Sequence, residues 1–297
     1  MSRRILLTIL AAALAGAVIF RLTRLPDEVD LAKYEHSIFS QGGEDGVLAK
    51  IFELIEPTNR FAVEFGCADG VRFSNVRHLI ADLGWSGLLM DGDSTALAKA
   101  VKAYERFPRA TILEAWVYPG NVETLFEKHG VPRDLDLLVI DIDSNDYYVW
   151  SAIHDFRPKV VLIEYNANFP PPQKAVINFH PLNYWDGSDY FGASIQSLYE
   201  LGKRKGYELV YGTQLGINLV FVDQQYYRRF GIRDNSPARF YHPPGYGVPA
   251  GGRAPNGRGH PRWDTFEQVE NGMVTRPFDK PLTWEKVEIP KKFVELP

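Results

Sequence analysis

One cysteine, Cys67, in 297 residues leaves no partner for an intramolecular disulfide and no basis for a cysteine-built zinc site. The thiol falls in a glycine turn, where a small packed residue is the simpler role. An excess of positive charge is missing too. There are 33 Lys and Arg against 37 Asp and Glu, a net charge of −4 and a pI near 6.0. That excludes the basic footprint of a protein that coats nucleic acid. The seven histidines (His36, His78, His129, His154, His180, His242 and His260) show no metal-ligand spacing. Only His180 lies where a substrate would pass. Internal repeats and blocks of like charge are also lacking.

Long apolar runs are scarce, and the one present is N-terminal. Ile5–Phe20 is uncharged for 16 residues between Arg3-Arg4 and Arg21/Arg24. It reads as a single-pass anchor tying the chain to a membrane, its side unspecified because the flanking charges nearly balance. The rival is a signal peptide cleaved near Ala13-Leu14-Ala15 or Ala15-Gly16-Ala17, giving a secreted protein. The apolar run continues through Val18, Ile19 and Phe20 past those sites, which favours the anchor.

The chain as a whole has the balance of an ordinary globular protein, 45% hydrophobic and 24% charged, with ample length for a core. The expected organisation is an anchor or signal peptide over residues 1–24, a linker over 25–39, one domain over 40–223 and an extension over 224–297. Ten of the 20 prolines fall in that extension, and Pro237–Pro261 holds six prolines and six glycines. Such a stretch reads as a long loop or wrapping arm, with Phe240, Tyr241, Tyr246 and Trp263 packing onto something.

Within the domain, apolar periodicity predicts a helix over Ser40–Glu56, stopped by Pro57. Strands are expected at Phe61–Phe65, Gly87–Met90, Ala110–Glu114, Leu135–Ile140 and Val160–Tyr165. Helices are expected between them at Ser74–Leu83, Thr95–Phe107, Val122–Lys128 and Tyr147–Phe156. This alternation is the pattern of an open, mostly parallel α/β sheet, with Leu135–Ile140 apolar enough for burial on both faces. After an irregular insert, Ala167–Phe191, a helix Ala193–Lys205 leads to strands Tyr207–Tyr211 and Ile217–Asp223. The five residues Gly212–Gly216 cannot hold a crossover, so these two strands must be antiparallel. A seven-stranded, mostly parallel sheet with a reversed terminal strand is the Rossmann-like class I methyltransferase fold, which uses S-adenosylmethionine.

In such sheets ligands bind beyond the C-terminal strand ends, and acids stand at nearly all of those ends here. Glu64, Gly66, Asp69 and Gly70 form an E-x-G-x-x-x-G turn after the first strand, where glycine lets backbone pass close to a ligand. Asn75 opens the following helix, whose amide-rich start points at the same spot. Asp91, with Asp93 second, is placed to accept the hydroxyls of a ribose diol, although Asp93 reads equally well as a helix cap. Glu114 closes the third strand. Asp141, Asp143 and Asp146 are too close together to be ionised without a cation or proton between them. They would hold a divalent metal with Glu164 and Asn166, or supply a general base to a substrate hydroxyl. The simpler alternative has Asp146 capping a helix and Asp143 in solvent.

The motifs Ser40–Gly46 (SQGGEDG), Val63–Gly70 (VEFGCADG), Ser74-Asn75, Gly84–Asp93, Asp141–Asp146 and Lys205–Val222 resemble the FkbM-type methyltransferase family, in its branch with an S-Q-x-G-E-D-G opening. The likeness covers roughly residues 40–223. The family's D-V-E-G-x-E motif stands here as Asp141-Ile142-Asp143-Ser144-Asn145-Asp146, with shorter acids and Ser144 for glycine. The resemblance implies S-adenosylmethionine as cofactor and O-methylation of a small-molecule, glycan or lipid-linked acceptor. Two rival readings are a non-catalytic scaffold on a degenerate methyltransferase fold and a glycosyltransferase using Asp91-Gly92-Asp93 or Asp141-Ile142-Asp143 as a D-x-D metal site. The glycine turn and the terminal hairpin fit the last one poorly.

Overall fold

The computed structural model describes residues 26–181, 183–185, 190–245 and 263–265. The central sheet uses strands β1 (Phe61–Phe65), β2 (Ser86–Asp91), β3 (Ala110–Glu114), β4 (Leu137–Ile140) and β5 (Val160–Glu164). A short strand β6 (Ala175–Ile177) lies apart, and β7 (Tyr207–Gly212) and β8 (Asn218–Asp223) complete the sheet in the order β3-β2-β1-β4-β5-β8-β7. Strands β1 to β5 pair in parallel, while β8 runs antiparallel to both β5 and β7. This is the α/β, Rossmann-like class I methyltransferase fold. The reversed strand comes last in the sheet by chain order, yet it lies one place in from the edge, between β5 and β7.

Helix α1 (Glu44–Ile55) precedes β1, the helices α2 (Arg77–Ala81), α3 (Ser94–Tyr104), α4 (Val122–Lys128), α5 (Asp146–Ala152) and α6 (Ile195–Arg204) lie between later strands, and the short α7 (Gln224–Tyr227) and α8 (Pro237–Phe240) follow the sheet. All four residues of β4 are fully buried, as an all-apolar central strand requires. Strand β4 starts two residues later than its apolar run suggests. The buried Asp136 instead accepts the amides of Thr58, Asn59 and Arg60 at 2.6 to 2.8 Å, which fixes the entry to β1.

Helix α1 likewise begins at Glu44, later than Ser40. Asp45 Oδ2 accepts the amides of Ile38, Phe39 and Ser40 at 2.7 to 2.8 Å, so Ser40–Gly43 folds back as a loop while Glu44, Asp45 and Gly46 form the first turn of the helix. The segment read as a linker packs onto the domain: Leu31 is buried, Val29 N–H donates to the Phe230 carbonyl, and Glu28 pairs with Arg239. In the extension, Phe240 is buried, Tyr241 donates its hydroxyl to the Ala167 carbonyl, and β9 (Trp263–Thr265) pairs antiparallel with β6. The rest of the expected arm, Tyr246 included, lies outside the described residues.

The membrane expectation requires correction. No helix among the described residues is long and apolar enough to cross a membrane, and the Ile5–Phe20 run on which the expectation rested lies outside them.

Candidate functional site

Strand order reverses between β1 and β4, and the crevice beyond their C-terminal ends is where ligands bind in open α/β sheets. A cavity of about 460 Å³ opens there, within the size range of small-molecule sites. Its walls come from the ends of β1, β2, β3, β4 and β5. They include Glu64 and Gly66, then Asp91 and Gly92, then Ala115, Trp116 and Val117, then Asp141 to Asn145, and finally Glu164.

Glu64 is buried under the turn. Its carboxylate accepts the Ser74 hydroxyl and the Asn75 amide, both at 2.7 Å. Burial outweighs those bonds and pushes its pKa up to about 7. Asp91 lies half-buried at the end of β2, one oxygen accepting the Ala68 amide and the other the Asp93 amide, both at 2.8 Å. Each oxygen keeps a second lone pair, which is what a vicinal diol needs.

Asp141, Asp143 and Glu164 offer ligand oxygens that all lie within 4.8 Å of one another. Burial, then the charges of Asp143 and Asp146, hold the Asp141 carboxyl well above the usual carboxylate range. A hard dication would relieve that repulsion, so this donor set fits an oxygen-liganded metal. Strain also gathers at the cavity. Ala68, Phe73 and Asp143 have φ of +47°, +67° and +53°, left-handed values that cost a non-glycine residue about 1–2 kcal/mol each.

Other expected site residues sit elsewhere. Asp146 turns its fully buried carboxylate under the loop, accepting the Ile142 and Ser144 amides at 2.9 Å. It braces the Asp141–Asn145 turn and does not line the cavity. Asp69 accepts the amides of Val71 and Arg72. Asp93 caps α3 through Thr95 and Ala96, the simpler of its two expected roles. Glu114 pairs in register with Asp91 but is not part of the wall. Asn166 is buried and donates to the Phe191 carbonyl, tying down the 167–191 insert. The His180 carbonyl accepts from Asn145, and its ring is not part of the wall.

The glycines and the helix start also serve a different purpose from the one expected. A Cβ on Gly66, at φ +69°, would overlap the Asp141 carbonyl oxygen. The glycine therefore lets the β1 and β4 loops touch each other, where close approach of a ligand was expected. A Cβ on Gly70 would meet the Tyr104 ring at 2.8 Å, so that position serves packing against α3. The amides expected to greet a ligand ahead of α2 are taken by the protein itself: Asn75 N–H by Glu64, and Val76 and Arg77 N–H by the Ser74 hydroxyl.

Sequence reasoning missed Arg72, Phe73, Trp116, Asn145 and Asn183, all of which line the cavity. Trp116 is fixed by its indole N–H on the Pro181 carbonyl at 2.7 Å, so the 167–191 insert meets the end of β3 there.

Glu64 carries a direct pH prediction. Between about pH 4.5 and 7 the folded state keeps a proton at Glu64 that the unfolded chain has lost. Its contribution to stability is therefore complete below pH 4.5 and lost as pH rises through 7. Glu64→Gln should flatten the decline in unfolding free energy from pH 5 to pH 7 by about 2 kcal/mol, followed by urea titration. An unchanged slope would contradict the assignment.

No protein-family model matches the sequence, and no curated protein matches it. Solved structures do resemble it. The N-terminal domain of EvdMO1, crystallised in the presence of SAH and D-fucose, is 14% identical, with 75% of this chain and 97% of that chain covered and a TM-score of 0.40. The CMeT domain of the citrinin polyketide synthase is 13% identical over 61% of this chain and 51% of that chain, with a TM-score of 0.39. An S-adenosylmethionine-dependent methyltransferase from Clostridium acetobutylicum ATCC 824 is 11% identical over 72% and 98%, with a TM-score of 0.38. The fold assignment for this chain rests on its own strand order and direction.

Proposed function

We propose that the chain is an S-adenosylmethionine-dependent O-methyltransferase, of FkbM type, acting on a hydroxyl of a small-molecule, glycan or lipid-linked acceptor. The charge of the cavity is the observation that carries this reading. Glu64, Asp91, Asp141, Asp143 and Glu164 surround it with carboxylates, and Arg72 is the one cation among its described lining residues. Such a field suits a cofactor bearing a sulfonium and an ammonium group. Asp91 is placed for the ribose hydroxyls and Glu64 for the ammonium, while Ala115, Trp116 and Val117 give the adenine an apolar berth. When bound, the cofactor supplies an electrophilic methyl group.

The protein's own task is then to hold the acceptor hydroxyl and take its proton. Asp141 or Asp143 does so as a general base, its affinity for protons raised in the case of Asp141 by burial and by its acidic neighbours. Asp141, Asp143 and Glu164 are also the residues that would hold a divalent cation, which would acidify a hydroxyl bound to it. Asp146 acts through the loop it braces.

The transfer is testable with S-adenosylmethionine carrying a tritiated methyl group, offered with glycan and lipid-linked fractions. Label should appear as a methyl ether formed at an acceptor hydroxyl, and Asp141→Asn should slow this by roughly 10²- to 10⁴-fold. Transfer undiminished in that variant would contradict the role of Asp141. Manganese should raise the melting temperature by several degrees as its site fills, and Asp143→Asn should abolish that rise. An equal rise in the variant would put the ion elsewhere.

A further inference from the structure

Arg72 is singular in its surroundings. Five carboxylates line the cavity with it, and among the described lining residues no other side chain carries positive charge. Its guanidinium carbon lies over the Phe73 ring, 4.5 Å from the centre, a cation–π contact that uses none of its N–H donors. Phe73, at φ +67°, is pinned by its N–H on the Phe39 carbonyl at 2.9 Å and by a bridge to Ser40. The Arg72 amide is taken by Asp69 at 2.8 Å. Ser74, two residues on, carries the hydroxyl that binds Glu64. One short loop thus supports both the buried acid and this cation.

We infer that Arg72 is the specificity residue for the cofactor's amino-acid end, binding its α-carboxylate while Glu64 faces its ammonium. This rests on the proposed cofactor and goes further, since it fixes which group the pocket demands. The cofactor brings a diol, two cationic centres and one carboxylate. Asp91 answers the diol and the acids answer the cations, whereas a carboxylate placed among five others would be repelled unless a guanidinium met it. Asp69 becomes a positioning residue by this account, because its bonds to Val71 and Arg72 set the loop.

Isothermal titration of the full chain with S-adenosylhomocysteine and with its decarboxylated analogue, S-adenosyl-3-thiopropylamine, tests the inference. Wild type should bind the carboxylate-bearing ligand at least about 10-fold more tightly than the analogue. Arg72→Ala should erase that preference while leaving the melting temperature unchanged, because Arg72 is exposed. Arg72→Lys should restore part of it. Equal affinities in wild type, or a preference that survives in Arg72→Ala, would overturn the inference and leave the cofactor reading intact. Failure of wild type to bind either ligand would overturn both.

Discussion

Gly66→Ala should be among the most damaging single-methyl changes in the domain, lowering stability by about 4 kcal/mol and the melting temperature by roughly 10 °C. Two costs combine. Alanine at φ +69° is strained by about 1–2 kcal/mol, and its methyl would overlap the Asp141 carbonyl oxygen, so the β1 and β4 loops must part. The second cost is the one that matters for function, because one loop leaves β1 just after Glu64 and the other carries Asp141 and Asp143. Gly130 supplies the control. It has φ +66°, and a methyl added there would meet nothing within 4 Å, so Gly130→Ala should cost only the backbone strain. Thermal melts of the two variants should differ by several degrees. Equal losses would mean that the loop contact at Gly66 is not tight.

Asp91→Ala should weaken S-adenosylhomocysteine binding by about 100-fold, read by titration calorimetry. The carboxylate is preset by the Ala68 and Asp93 amides, so its free lone pairs meet the ribose hydroxyls without further ordering. Two charge-assisted hydrogen bonds at about 1.5 kcal/mol each give that factor. Asp93→Ala is the matched comparison. Its carboxylate caps α3, so the change should cost about 1 kcal/mol of stability and leave binding near the wild-type value. If Asp93→Ala lost the ligand and Asp91→Ala kept it, the ribose assignment would be reversed.

The sheet was legible because its signals are local. Apolar runs ending in acids marked the five parallel strands, and a five-residue turn between β7 and β8 left no room for a crossover. Element ends were less legible wherever a side chain took over backbone amides, as Asp136 does before β4 and Asp45 does before α1. The acids divided along the same line. Asp69, Asp93 and Asp146 each satisfy amides two to four residues away, Asp93 as the helix cap its spacing offered and Asp69 and Asp146 as braces of their own loops. Glu64 and Asp91 bind amides 11 and 23 residues away, and only the folded chain reveals them. Arg72, Trp116 and Asn183 carried no motif at all, since their place at the cavity depends on how loops from distant strands meet.

Titration of the purified chain with S-adenosylhomocysteine is the most direct test of the cofactor pocket. Saturable binding at one site per chain is expected, with proton release near pH 7 as Glu64, its pKa near that value, ionises against the ligand's ammonium. Heats no larger than dilution at high protein concentration would contradict it.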